Sequence, residues 1–154
     1  MLAFLFSFLI ISHAIKTYTR NFDWESEYSI FRAGLKVNSR NAKLFNNVGH
    51  ALEKYEKWAE ALDYFEKAAS VQPDDIGAHI NVGRTYKNLN LSAFAEKAYR
   101  RAINLFPPII KGKSYQARIA PSHLNAYLNL ANLASQDPSR LAEAEHVSKL
   151  LSAM

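Results

Sequence analysis

AKLFNNVGHALEKYEKWAEALDYFEKAASVQPDD, residues 42–75, is followed without a break by IGAHINVGRTYKNLNLSAFAEKAYRRAINLFPPI, residues 76–109, and the second segment repeats the first. Asn47-Val48-Gly49 returns as Asn81-Val82-Gly83, 34 residues later. At the same offset Phe45 pairs with His79, Leu52 with Tyr86, and Ala61 with Ala95. Phe65 then pairs with Tyr99, Ala68 with Ala102, and Pro73 with Pro107. Apolar positions three and four apart make one stripe per segment, which is the helical period and not the strand period. The small residues Gly49, Gly83, Ala61, Ala68, Ala95 and Ala102 let paired helices approach closely. Pro73 and Pro107 lack the amide proton of an interior helical residue and end each second helix.

This order of markers resembles the tetratricopeptide repeat, and it predicts an all-α helical solenoid. Each helix pair cannot bury its own face alone, so stacking is obligatory. The repeats are 42–75 and 76–109. Downstream, Tyr127, Leu130 and Ala131 restore the first-helix word, and residues 124–154 read as a degenerate third repeat. Its second helix, roughly 140–151, keeps Ala144 but has Ser148 where an aromatic belongs. Gly83 and Ala131 lie 48 residues apart, so 14 are extra, and they fall in a basic, turn-prone insertion at 110–123. Upstream, residues 22–40 read as half a repeat: Asp23 caps a helix from Trp24 to about Val37, with Phe31 and Gly34 in the aromatic and small positions.

The first fifteen residues, MLAFLFSFLIISHAI, carry no formal charge in their side chains and are dense in Leu, Phe and Ile. As a helix they would span about 22 Å, short of the roughly 30 Å hydrocarbon core. A signal peptide is disfavoured by the absence of a basic start and of a small-x-small cleavage site. A buried solenoid helix would show a broader polar face than Ser7, Ser12 and His13 supply. The favoured reading is the end of a transmembrane helix, which would also serve as partner to the half-repeat helix. The apolar close at Leu150 and Leu151 leaves a face with nothing to stack on, so the expectation is a chain truncated at both ends.

Composition narrows the function. With 49% apolar and 21% charged residues, the chain is ordinary globular material. It contains no Cys, which excludes disulfides, thiolate zinc sites and cysteine nucleophiles. The net charge of +5 is spread over helices, apart from Lys111, Lys113 and Arg118, and it lacks the dense basic stripe of a nucleic-acid surface. His13, His50, His79, His123 and His146 show no metal-ligand spacing. Asp74-Asp75 reads as a cap for the next helix, not as an acid pair. No catalytic, cofactor or metal site is expected. Binding is the better expectation: first helices line the concave face of such a solenoid. They would project Asn46, His50 and Glu53, then Ile80, Arg84 and Lys87, then Leu128 and Asn132 into a groove for an acceptor protein or peptide. This set differs from the Lys and Asn carboxylate clamp of chaperone-binding repeats. Asn90-Leu91-Ser92 is an N-glycosylation sequon in the turn between two helices.

Particular words inside the repeat carry a narrower resemblance. The apolar segment, then Arg20-Asn21-Phe22-Asp23-Trp24-Glu25-Ser26-Glu27, then Asn41-Ala42-Lys43, is similar to the transmembrane and tetratricopeptide-repeat (TMTC) family. Gln72-Pro73-Asp74-Asp75, Asn81 to Asn90, and Ala117 to Pro121 leading into His123-Leu124-Asn125 resemble its third subfamily in particular. The resemblance implies an endoplasmic-reticulum membrane protein that transfers mannose from dolichyl-phosphate mannose to Ser or Thr of proteins, cadherins among them. It implies lumenal repeats that engage the acceptor, and a catalytic membrane part lying before Met1, so no catalytic residue transfers to this chain. Lys16 and Arg20 after the membrane segment speak for a cytosolic side instead. The alternative is a membrane-anchored repeat adaptor without enzymatic activity.

Overall fold

A computed structural model describes residues 1–107 and 120–152. The Lys111, Gly112, Lys113 and Arg118 cluster, most of the expected insertion and the last two residues lie outside the described residues. Among the described residues the regular structure is helical: α1 (Leu2–Asn21), α2 (Glu27–Val37), α3 (Ala42–Glu53), α4 (Trp58–Val71), α5 (Ile76–Asn88), α6 (Ser92–Asn104), α7 (Asn125–Ser135) and α8 (Leu141–Ser152). From α2 onward each helix packs on the next, and α5 also touches α7, as a stack of hairpins requires. The first helices α3, α5 and α7 form one layer, and α4, α6 and α8 the other.

The caps explain where the first helices start. Asn41 accepts a hydrogen bond from Leu44 N at 3.2 Å. Asp75 accepts from Gly77 N at 2.8 Å and Ala78 N at 3.3 Å, so it is a cap. At α2 the cap is not Asp23 but Ser26. Ser29 N donates to Ser26 Oγ at 3.1 Å and Ser26 N donates to Ser29 Oγ at 2.9 Å, a reciprocal box that satisfies two end amides. Asp23 lies instead in a 3-10 turn, Phe22–Trp24, where it meets Arg20 at 3.0 Å. The helix therefore begins three residues later than its sequence suggested.

The small positions act as expected from the repeat. A Cβ on Gly49 would lie 2.6 Å from Phe65 Cε1, and one on Gly83 would lie 2.5 Å from Tyr99 Cε1. Each ring lies flat against a glycine backbone, and both rings are fully buried. One core joins Val48, Leu52, Ala61 and Phe65 to Val82 and Ala98 of the next repeat, with Tyr28, Phe31 and Leu35 of α2 against it. A second joins Tyr99 to Tyr127, Leu130, Leu133 and Val147. Burying side chains of this size contributes about 1.5–3 kcal/mol each, so the stacking faces hold the solenoid together. In α8 the buried aromatic-type position is taken by Val147, while Ser148 is exposed; the degenerate repeat fills its core one residue earlier.

α1 departs from expectation twice. It does not end at residue 15 but runs through Lys16, Tyr18 and Arg20 to Asn21, because helix geometry tolerates long basic side chains at its C-terminal turn. The helical span including the following turn, Leu2–Trp24, is 23 residues and holds an 18-residue window of mean hydropathy 1.4, long and apolar enough by length and composition to cross a membrane. At 1.5 Å per residue that is about 34 Å. Nor does α1 pair with α2: none of its residues is buried, and it meets the rest of the chain through the Phe22–Trp24 turn. Two of its polar side chains are turned onto its own backbone. Thr19 Oγ1 donates to Ile15 O at 3.0 Å, and His13 Nδ1 lies 2.9 Å from Leu9 O, which suits a helix in hydrocarbon.

Candidate functional site

The layer of first helices carries a polar ladder across the α3–α5 seam. Arg84 donates through Nη2 to Glu53 Oε2 at 2.7 Å and through Nε to Glu53 Oε1 at 3.2 Å, a two-pronged contact between repeats. His50 Nδ1 lies 2.9 Å from the same carboxylate. Asn81 Nδ2 donates to Asn46 Oδ1 at 3.3 Å and reaches His50 Nε2 at 3.3 Å. The set is self-consistent when His50 carries its proton on Nδ1, accepting from Asn81 and donating to Glu53. Burial pushes the Glu53 carboxyl up, but the His50 hydrogen bond and the Arg84 guanidinium outweigh it and hold it below the usual carboxylate range. His50 also stands edge-on to the Phe65 ring, with centroids 5.1 Å apart, so the aromatic under Gly49 supports the ladder from below.

Of the expected groove residues, Asn46, His50, Glu53 and Arg84 come together here. Lys87 is half-buried and pairs with no carboxylate among the described residues. Leu128 is half exposed and Asn132 exposed, but neither joins the ladder. Ile80 does not project into the groove. It is 6% exposed and packs with Ala102 and Ala126, because an apolar side chain at that register is drawn into the α5–α7 contact. Asn81 was missed as a site residue. Its place in the repeated Asn-Val-Gly word marked it as part of the fold, although an amide at a helix-helix seam is a recurrent hydrogen-bonding device.

Beneath Arg84 lies Tyr99, whose hydroxyl is buried without a hydrogen-bond partner. Burial pushes its pKa up to about 12, against a smaller opposing pull from Arg84. On the other layer, Arg140 is bidentate to Glu96, at 2.8 and 2.9 Å, and donates to Glu143 at 2.9 Å. Arg100 bridges Glu96 and Glu143 as well, so four charges pin α8 to α6. Asn90 is exposed in the α5–α6 turn with φ 60°, and Glu56 holds the equivalent place in the first repeat with φ 57°. Among the described residues no group of three or more His, Asp or Glu could hold a metal ion.

Fold and layer define the class: this is a tetratricopeptide-repeat solenoid, and the tetratricopeptide repeat family matches residues 42–75 and again 76–108. Solved structures agree on the fold. A MamA double mutant superposes with a TM-score of 0.63 at 18% identity, covering 82% of this chain and 64% of that one. The first TPR of Spaghetti (RPAP3) bound to HSP90 peptide SRMEEVD gives 0.58 at 17% identity, covering 83% of this chain and 90% of that one. The sequence is far nearer to another group. It is 60% identical over 141 residues to Protein O-mannosyl-transferase TMTC3 of Homo sapiens, across 92% of this chain. Against Tmtc3 of Drosophila melanogaster it is 58% identical over 139 residues, across 90% of this chain. The chain belongs to the TMTC family of protein O-mannosyl-transferases. It spans 15% of the length of these relatives.

Proposed function

We propose that this chain is the acceptor-binding repeat portion of a membrane protein O-mannosyl-transferase, with its repeats in the endoplasmic-reticulum lumen. The donor would be dolichyl-phosphate mannose and the acceptor Ser or Thr of proteins such as cadherins. The observation that carries this reading is 60% identity over 141 residues, 92% of the chain and so through both repeats, to a protein O-mannosyl-transferase. α1 would anchor the solenoid to the bilayer by its uncovered apolar surface. The α3–α5–α7 layer would hold an extended acceptor segment, as the Spaghetti repeat domain holds its peptide on a similar fold. Transfer itself would belong to the part of the protein outside this chain.

Orientation is tested by translating the chain with microsomes and following Asn90. A glycan removed by endoglycosidase and absent from Asn90→Gln supports lumenal repeats; an unmodified, protease-accessible solenoid refutes them. The groove is tested at Lys87, since Arg84→Glu would also set two carboxylates against each other across the repeat seam. Lys87→Glu should weaken acceptor capture about tenfold, and unchanged capture would remove the groove assignment. Residues 16–154 should show no mannose transfer alone; turnover by them would place chemistry in the repeats.

A further inference from the structure

The two repeats differ where their outer faces should match. Tyr64 of α4 is half-buried against Phe45, with ring centroids 6.4 Å apart, and it fills the hollow between its helices. At the same register α6 has Ala98, whose small side chain joins the core with Val48, Leu52 and Val82 but does not reach as far as a tyrosine would. A cavity of about 350 Å³ opens there, floored by Val82 and Ala98 and walled by Tyr86 and Phe94. Phe94 and Tyr86 stack at 5.3 Å and 26°, and Phe94 is 56% exposed. In the first repeat the register of Phe94 holds the charged Glu60. The rim has changed sign at one position, where Lys97 stands in place of Asp63, and keeps a cation at another, where Arg101 stands in place of Lys67. Lys97 and Arg101 are exposed, and neither pairs with a carboxylate among the described residues.

From these three register changes we infer that the outer face of the second repeat is a second protein-docking site, taking an acidic segment that carries an aromatic or branched apolar side chain. The apolar residue enters the hollow left by Ala98 and stacks on Phe94, while flanking carboxylates meet Lys97 and Arg101. An exposed stacked aromatic beside two unpaired cations complements that chemistry on both counts. A peptide is favoured over an anionic lipid surface, since α1 leaves the solenoid at α2 and the hollow lies between α5 and α6, further along the stack. The site is separate from the α3–α5–α7 layer and does not rest on the mannosyl-transferase reading.

The probe is the capped pentapeptide Asp-Asp-Phe-Asp-Asp, titrated into the full chain in micelles and followed by amide chemical shifts. Shifts centred on Val82, Phe94, Lys97 and Ala98 support the site. Lys97→Asp and Phe94→Glu, both surface changes to the first repeat's residues, should each weaken binding about tenfold. Ala98→Tyr should abolish it, and Lys87→Glu on the other layer should leave it unchanged. The inference is overturned if the peptide does not bind, if its shifts fall on Asn46, His50, Glu53 and Arg84 of the inner ladder and not on α6, or if Lys97→Asp binds as well as the parent. It is overturned in favour of lipid if Lys97 and Arg101 respond to anionic nanodiscs and not to the peptide.

Discussion

Replacing Tyr99 by Phe should make this protein more stable, although it deletes a polar group from the core. Tyr99 is fully buried, and its hydroxyl meets no hydrogen-bond partner. Leaving such a group unsatisfied costs about 1–3 kcal/mol, whereas the ring itself keeps every apolar contact after the exchange. The first repeat supplies the control, because Phe65 fills the same register against Gly49 without a hydroxyl and is equally buried. A gain of about 1 kcal/mol is expected, or roughly 2–4 °C in a chain of this size. Alkali adds a second readout. The folded-state pKa of about 12 exceeds the ordinary value of 10.0, so burial opposes ionisation. The stability tied to the neutral hydroxyl is complete below pH 10 and is lost as pH rises through 12. Tyr99→Phe should therefore flatten the alkaline limb of the stability profile between those values. Thermal melts by circular dichroism at neutral and alkaline pH, on the full chain in mild detergent, measure both effects. A Tyr99→Phe chain destabilised by 1 kcal/mol or more would mean the hydroxyl is satisfied, and the reasoning would be refuted.

The remaining predictions follow from the same seams. Gly83→Ala should cost about 1–3 kcal/mol, since its Cβ would lie 2.5 Å from the buried Tyr99 ring, and a chemical-denaturation midpoint reads this directly. Glu56→Gly should stabilise by about 1 kcal/mol, because Glu56 holds φ at 57°, where a side chain clashes with the backbone; an unchanged midpoint would contradict the strain. Arg140→Ala should loosen α8 from α6, seen as faster hydrogen exchange confined to residues 141–152. Glu96 and Glu143 are held below the usual carboxylate range, each chiefly by its Arg140 hydrogen bond. Their stabilising contribution is present above the ordinary carboxylate pKa and is lost as pH falls below it, so acid should mimic Arg140→Ala.

The 34-residue spacing made the middle of the fold readable because the repeat places each small residue opposite a particular ring. Gly49 against Phe65 and Gly83 against Tyr99 are consequences of that spacing, and both contacts exist. What failed to show was whatever depends on neighbours outside the period. Asp23 and Ser26 are both good capping residues, and only the reciprocal Ser26–Ser29 bonds decide between them. Ile80 sits at a groove register, yet Ala102 and Ala126 bury it. Asn81 looked like a fold marker because it repeats Asn47, while its amide in fact joins Asn46 to His50. The length of α1 was under-read because Lys16 and Arg20 ended the apolar count without ending the helix.

These differences share a physical origin that bears on how the repeats divide their work. Positions facing the partner helix within a hairpin are fixed by close packing, so they recur with little freedom in both repeats. Positions facing the next repeat or solvent carry no such constraint, and there the two repeats diverge: Asn46 against Ile80, Asp63 against Lys97. On the inner layer the divergence ties α3 to α5 through Arg84 and Glu53, while near Ile80 α5 meets α7 through an apolar cluster. The inner seam between the first two repeats is thus polar and two-pronged, and the next is apolar around Ile80. A bound extended segment would find its fixed hydrogen-bonding groups on α3 and α5, with α7 offering Leu128 as an apolar contact at the downstream end. Glu53→Gln separates these roles, since it weakens the Arg84 bridge without altering side-chain volume. Loss of acceptor capture in Glu53→Gln with the fold intact would place recognition on the polar seam, whereas retained capture would move it to α7.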